Sequence, residues 1–225
     1  MMLTTVGGSR WEPTLCAFYW HRVVPQLREG GHEAIAVDLP GDDPAVGLPE
    51  YARLVDSAIG SRDNVVLVAM SLGGFTAPLV AAKVPVRSLV FVNAMIPRPG
   101  ETPGAWWDDT GWSDARVAAA KRGGYITEFD LAVSFLHDVP PDIAAAGEPY
   151  QRPEADVAFG SGCDFRNWPA VPIRAVARAD DRFFPVAFQQ ALARDRLGIE
   201  ADVLPGGHLI ALARPAELAS YLHAL

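Results

Sequence analysis

Apolar residues along this chain gather into short runs separated by glycine, proline and acid-rich breaks, and the runs alternate between two periods. Residues 3–6 are strand-like and give way to Gly7-Gly8-Ser9, a loop signal. Over 20–29, Val23, Val24 and Leu27 recur at helical spacing, and Gly30-Gly31 ends the helix. Residues 33–39 contain the strand Ala-Ile-Ala-Val, closed by Pro40-Gly41 and the acids Asp42 and Asp43. Residues 48–59 predict a helix with Leu54, Val55 and Ile59 along one side. A fully apolar run follows from Val65 and leads straight into a helical pattern over 72–83, where Pro78 is tolerable only in the first turns. Residues 86–92 form another apolar run of the kind a buried parallel strand shows.

This alternation predicts an α/β fold, with a mostly parallel sheet covered by helices on both faces. It breaks for about 70 residues over 97–169, a length no plain connection needs. That stretch carries Pro97, Pro99, Pro103, Pro140 and Pro141, three tryptophans, and helical patterns near 115–121 and 128–136. It is too short to bury much surface alone, so a helical cap inserted into one domain over 1–225, lying on the carboxyl edge of the sheet, is expected. Alternation then resumes with a strand over 171–177, a helix over 186–197, a strand over 200–204 and a closing helix over 215–225.

The candidate chemistry sits at the seam of the central run. Ala69-Met70-Ser71-Leu72-Gly73 places a serine between two small residues where a strand must turn at once into a helix. Small neighbours let the backbone pass close to itself, so the turn lifts the Ser71 hydroxyl off the sheet and aims the Leu72 amide at the same space. Such a match carries little alone, because an ordinary strand-turn-helix corner can show it. A serine nucleophile also needs a base, and the base needs an orienting carboxylate. Of five histidines, His208 alone follows a predicted strand in a glycine-freed loop, Pro205-Gly206-Gly207-His208. The preceding strand ends in Ala177-Arg178-Ala179-Asp180-Asp181, so two aspartates compete for the acid. The order serine, aspartate, histidine is one of several known for this chemistry.

These residues give the chain a resemblance to the α/β-hydrolase superfamily, nearest the branch of plant methyl esterases and hydroxynitrile lyases. It covers nearly the whole chain: Val6-Gly7-Gly8-Ser9 and Tyr19-Trp20-His21-Arg22 stand where that branch has its oxyanion loop and helix start. Gly206-Gly207-His208 with Arg214-Pro215 matches its histidine motif. The resemblance implies an acid four residues before a proline, which selects Asp181 with Pro185, and it implies the Ser9 amide as second oxyanion donor opposite Leu72. It further implies a substrate pocket bounded by Gly8 and Trp20. Where the lyases carry cysteine after the serine and lysine after the histidine, this chain has Leu72 and Leu209, so no cation is placed to receive cyanide. Asn93 stands where related dehalogenases hold halide, but those use an aspartate nucleophile, so Asn93 is expected to be a strand-end hydrogen bonder.

The expected activity is therefore hydrolysis of an ester or thioester through an acyl-enzyme, without cofactor or metal. A lyase or acyltransferase using the same triad, or a binding relative that has lost turnover, are the alternatives. Trp106, Trp107, Trp112 and Phe135 in the cap suggest an apolar or aromatic substrate group, or else simply pack the cap onto the sheet.

Composition narrows the picture modestly. With 225 residues, 50% hydrophobic and 20% charged, the chain can build a core and is not disordered. A net charge of -8 spread along the chain argues against a nucleic-acid surface. Cys16 and Cys163 have no metal or redox spacing and are expected to be free buried thiols. No run approaches the ~20 apolar residues of a membrane span and no signal-like segment opens the chain, so a soluble cytoplasmic protein is expected.

Overall fold

The computed structural model describes residues 2–7, 13–14 and 16–225. In chain order the elements are β1 (Met2–Gly7), β2 (Pro13–Thr14), a 3-10 turn (Cys16–Trp20), α1 (Val24–Glu29), β3 (Ala34–Val37), α2 (Leu48–Ile59), β4 (Val66–Ser71), α3 (Gly73–Ala81) and β5 (Ser88–Ala94). There follow α4 (Pro103–Asp109), α5 (Trp112–Gly123), α6 (Leu131–Ser134), α7 (Pro141–Gly147), β6 (Arg152–Pro153) and α8 (Asp156–Gly160). The chain closes with β7 (Ile173–Arg178), α9 (Val186–Leu197), β8 (Asp202–Leu204), α10 (Ile210–Ala213) and α11 (Pro215–His223).

Six strands form one parallel sheet in the order β3-β1-β4-β5-β7-β8, and β2 pairs antiparallel with β6. Strand β4 lies at the centre with all six residues buried, because helices cover it on both faces and no alternation is left to read. Helix α3 is buried nearly all round. Helix α2 buries Leu48, Tyr51, Ala52, Val55 and Ile59 at helical spacing. Leu54, expected on that inner side, lies 40% exposed instead, since it falls on the flank of the stripe through Leu48, Ala52, Val55 and Ile59, beyond Tyr51 at its edge.

The helix expected over 20–29 also starts later. Residues 16–20 wind as a 3-10 turn and α1 begins at Val24, with Pro25 in its first turn where the missing amide costs nothing. Val23, Val24 and Leu27 are buried all the same.

The segment 97–169 contains five α-helices, more than the two its periodicity suggested; α5 runs to 12 residues, the others are short, and α6 is a single turn inside the wider pattern expected over 128–136. It leaves and rejoins the sheet at one place: the Gly100 amide donates to Cys163 O (2.9 Å) and the Cys163 amide to Glu101 O (2.9 Å). Buried Arg196 of α9 pairs with buried Glu101 and donates to Ile96 O at 3.1 Å, fastening the same root. Two of its other attachments reach loops that follow strand ends. The Ala155 amide donates to Gly41 O beyond β3 (2.6 Å), and the Trp112 indole donates to Phe183 O beyond β7 (2.8 Å). Cys163 is a free buried thiol donating to Phe75 O (3.1 Å), and burial pushes its pKa up. No helix among the described residues is long and apolar enough to cross a membrane.

Candidate active site

At the carboxyl edge of the sheet two neighbouring strands end in strained residues. Ser71 closes β4 with φ 50° and Asn93 stands one residue before the end of β5 with φ 46°, both in the left-handed region that bulky residues avoid. The β4–β5 register shifts at Met70 and Ser71, so that Ser71 stands beside Ala94 and its carbonyl accepts the Met95 amide at 3.0 Å. Helix α3 begins immediately, with Leu72 as its N-cap. The first amides of a helix have no acceptor within it, so the corner offers free donors beside the hydroxyl. Ser71 is 1% exposed and its Oγ makes no hydrogen bond among the described residues. On the other side of β4, Gly7 pairs with Ser71. Gly8 and Ser9, expected respectively at the pocket and as the second oxyanion donor, lie outside the described residues.

The two later loops meet beside β5. His208 Nδ1 lies 2.8 Å from Asp181 Oδ2, and both side chains are wholly buried. Asp181 is thus the partner of the imidazole. Asp180, the rival in the sequence, turns away and accepts the Gly206 amide at 2.9 Å. The reason is local: Asp181 Oδ1 accepts the amides of Phe183 and Phe184, each at 2.8 Å, and this turn leaves Oδ2 facing the imidazole. Oδ2 also accepts from Asn93 Nδ2 (3.1 Å) and Gln189 Nε2 (3.4 Å).

Asn93 connects the whole arrangement. Its Nδ2 reaches Asp181 and also His208 O at 3.0 Å, so one buried amide from β5 ties the acid to the histidine loop. From the segment 97–169, Asp138 Oδ2 accepts the Gly207 amide at 2.6 Å and holds the same loop from the other side. The expected strand-end role of Asn93 is what the structure shows, whereas Gln189 and Asp138 were not singled out from sequence. The one available signal for Gln189 was a polar residue on the buried face of α9, eight positions after Asp181.

The aromatic residues fall into two groups. Phe135, Phe183 and Phe184 stand edge-on around the His208 ring at centroid distances of 4.8, 5.4 and 5.2 Å, fixing its plane with apolar walls. Trp20 and Trp106 are fully buried, and the Trp106 indole donates to Ile96 O at 3.1 Å. Trp107 and Trp112 meet edge to face at 4.7 Å, against the Phe183 side of the cluster. Among the described residues no group of three or more His, Cys, Asp or Glu side chains could hold a metal ion.

A central parallel sheet with a strained serine at the end of β4 and an aspartate–histidine pair after β7 and β8 is the α/β-hydrolase fold. Residues 7–221 match the alpha/beta hydrolase family, and the chain belongs to it. Over 100 residues it is 38% identical to the probable esterase PIR7A of Oryza sativa subsp. indica, covering 39% of this chain and 38% of that protein. Over another 100-residue alignment it is 37% identical to methylesterase 7 of Arabidopsis thaliana, covering 39% and 38%. The matched stretch is therefore about two fifths of each relative's length. Among solved structures, a pyrethroid hydrolase from Sphingobium faniae JZ-2 superimposes with TM-score 0.73 over 99% of this chain and 95% of that one, at 20% identity, a likeness of fold.

Proposed function

We propose that this protein is a serine hydrolase that cleaves a carboxylic ester or thioester bearing an apolar or aromatic group, with Ser71, His208 and Asp181 as its triad. The observation that carries the reading is the buried Asp181–His208 pair at 2.8 Å, tied by Asn93 to the end of β5, the neighbour of the strand that the strained Ser71 closes. Bonding of Nδ1 to the carboxylate leaves Nε2 as the ring atom for proton transfer.

Nε2 takes the Ser71 Oγ proton as Oγ attacks the ester carbonyl, and the tetrahedral oxyanion is held by the Leu72 amide and a second donor, the Ser9 amide. The imidazolium then protonates the leaving alcohol or thiol as the carbon–heteroatom bond breaks, giving the acyl-enzyme. Water, deprotonated by the same nitrogen, releases the acid and restores Ser71. Segment 97–169 serves as the cap, and its Phe135 wall beside His208 favours an apolar substrate group. The names of the esterase relatives support the same reaction type.

The test is turnover of p-nitrophenyl acetate together with labelling by a fluorophosphonate. Ser71→Ala is expected to lower kcat by about 10⁴-fold or more and to abolish labelling. A Ser71→Ala protein with unchanged turnover ends the proposal.

A further inference from the structure

Arg178, the last residue of β7, is 0% exposed, and none of its three guanidinium nitrogens has a hydrogen-bond partner among the described residues. Buried guanidinium groups are ordinarily paired, so an unpaired one needs a reason. Burial pushes its pKa down to about 10, which still leaves it charged at neutral pH.

Its place in the fold supplies that reason. The turn that follows carries Asp181, whose amide faces Arg178 O at 3.5 Å. Arg178 Nη2 rests against the bare backbone of Gly206, 3.2 Å from where a Cβ would lie, a point that Arg214 Cδ already crowds at 2.9 Å. Gly206 stands two residues before His208 and is bonded to the acid turn in both directions. The Asp180 amide donates to Gly206 O at 3.0 Å, and the Gly206 amide donates to Asp180 Oδ2 at 2.9 Å. The guanidinium therefore lies at the seam where the acid turn and the histidine loop join.

Titratable groups reach that seam from every element around it. Asp181 after β7 and Asp138 from the segment 97–169 hold the histidine loop from two sides, through His208 Nδ1 and the Gly207 amide, and both act on Arg178 through space. His137 stands beside Gly207. Tyr19, in the 3-10 turn, is fully buried, and burial pushes its phenol up, so it stays uncharged. Arg214 and Glu217, where α10 meets α11, pair with each other at 2.8 Å, and Asp180 is exposed to solvent, which screens it. What remains near the imidazole is two carboxylates and one cation. The carboxylates alone would favour the imidazolium, a form that cannot take a proton from Ser71.

We propose that Arg178 is a positioning residue that acts through His208: its buried charge offsets the carboxylates of Asp181 and Asp138 and keeps the imidazole neutral, ready to accept a proton. The inference rests on the reading of His208 as the base.

Nitrogen NMR of the full chain labelled with ¹⁵N-histidine, recorded across neutral pH, reads the His208 midpoint, its resonance assigned by its loss in His208→Asn. The acid limb of kcat/KM for p-nitrophenyl acetate is recorded alongside. Removing the cation favours the imidazolium, so Arg178→Met and Arg178→Gln should each raise the midpoint by about 0.5–1 unit, and the acid limb with it. Arg178→Lys, which restores the charge, should return both towards the parent. Asp138→Asn, which keeps an acceptor for the Gly207 amide, should move the midpoint the opposite way. A midpoint unmoved or lowered in the neutral Arg178 variants overturns the proposal, even where turnover or Tm falls. Should neither of them fold, an unmoved midpoint in Asp138→Asn overturns it. Because the NMR midpoint needs no turnover, failure of the hydrolase reading and failure of this inference are read separately.

Discussion

Replacing Gly74 by alanine sets two physical effects against each other, and the structure decides the sign. Inside a helix, glycine to alanine ordinarily stabilises by about 0.5–1 kcal/mol, because the unfolded chain loses freedom. Here a Cβ would lie 1.8 Å from Met95 O and 3.2 Å from Ala94 Cβ, so α3 packs on the end of β5 through bare backbone. Easing that contact to 3.0 Å takes roughly 1.2 Å of movement between α3 and β5. Overpacking of this kind costs about 3 kcal/mol at the upper end, which leaves about 2 kcal/mol of net destabilisation. At about 2–4 °C per kcal/mol, Tm should fall by roughly 4–8 °C. The movement cannot stay local, since the Met95 amide donates to Ser71 O and α3 starts two residues after Ser71. A shift near 1 Å at the proposed nucleophile and the Leu72 amide lowers kcat by about 10²-fold. Calorimetry and steady-state hydrolysis of p-nitrophenyl acetate read both effects. A Gly74→Ala protein that melts higher than the parent and keeps its kcat would refute the reasoning.

Other perturbations follow from the same geometry. Asn93→Ala removes the shared donor to Asp181 and His208 O, so kcat should drop by up to about 10²-fold with KM nearly unchanged, and equal loss in both parameters speaks against a positioning role. Glu101→Gln removes the buried carboxylate from the Arg196 guanidinium, whose side chain is 1% exposed and keeps, among the described residues, only Ile96 O and the exposed Asp195 at 3.7 Å, and should cost about 3 kcal/mol by denaturant unfolding. Adding Arg196→Met should recover most of that loss; a single variant within about 1 kcal/mol of the parent contradicts the assignment. His32 Nε2 meets His223 Nδ1 at 2.8 Å, and burial followed by the charge of His223 lowers the His32 pKa. The unfolded state then binds the proton first, so stability holds above about pH 6.5 and declines as pH falls below it. His32→Asn should flatten the fall of Tm between pH 7 and pH 5, and an unchanged slope excludes this pair as its source.

Where periodicity was strong the chain told its own fold. The helix over 48–59 has its predicted ends, because Gly47, Pro49 and Gly60 mark both termini, and only the phase of Leu54 was misjudged. The run before Ser71 became the central strand, since a segment apolar on both faces fits only where helices cover both. The segment 97–169 was less legible. All its helices but α5 are short, and the segment is held by root contacts such as Arg196 with Glu101 and Trp106 with Ile96 O, which join residues 95 and 10 positions apart. No local period encodes such contacts.

The candidate site divides in the same way. Ser71 and His208 were visible in sequence because a strand-to-helix corner and a glycine-freed loop are local chain properties. Between Asp180 and Asp181 the residues alone gave no choice, and motif resemblance favoured the second. What assigns Asp181 to His208 is a turn whose amides, at Phe183 and Phe184, fix one carboxylate oxygen and present the other. Asn93, Gln189 and Asp138 converge on the same two residues from β5, α9 and the segment 97–169. Sequence thus determined the alternating elements and the types of side chain at the strand ends, because period and turn chemistry act over a few residues. Tertiary structure alone decided which of those side chains meet, because such meetings depend on sheet order and packing between distant parts of the chain.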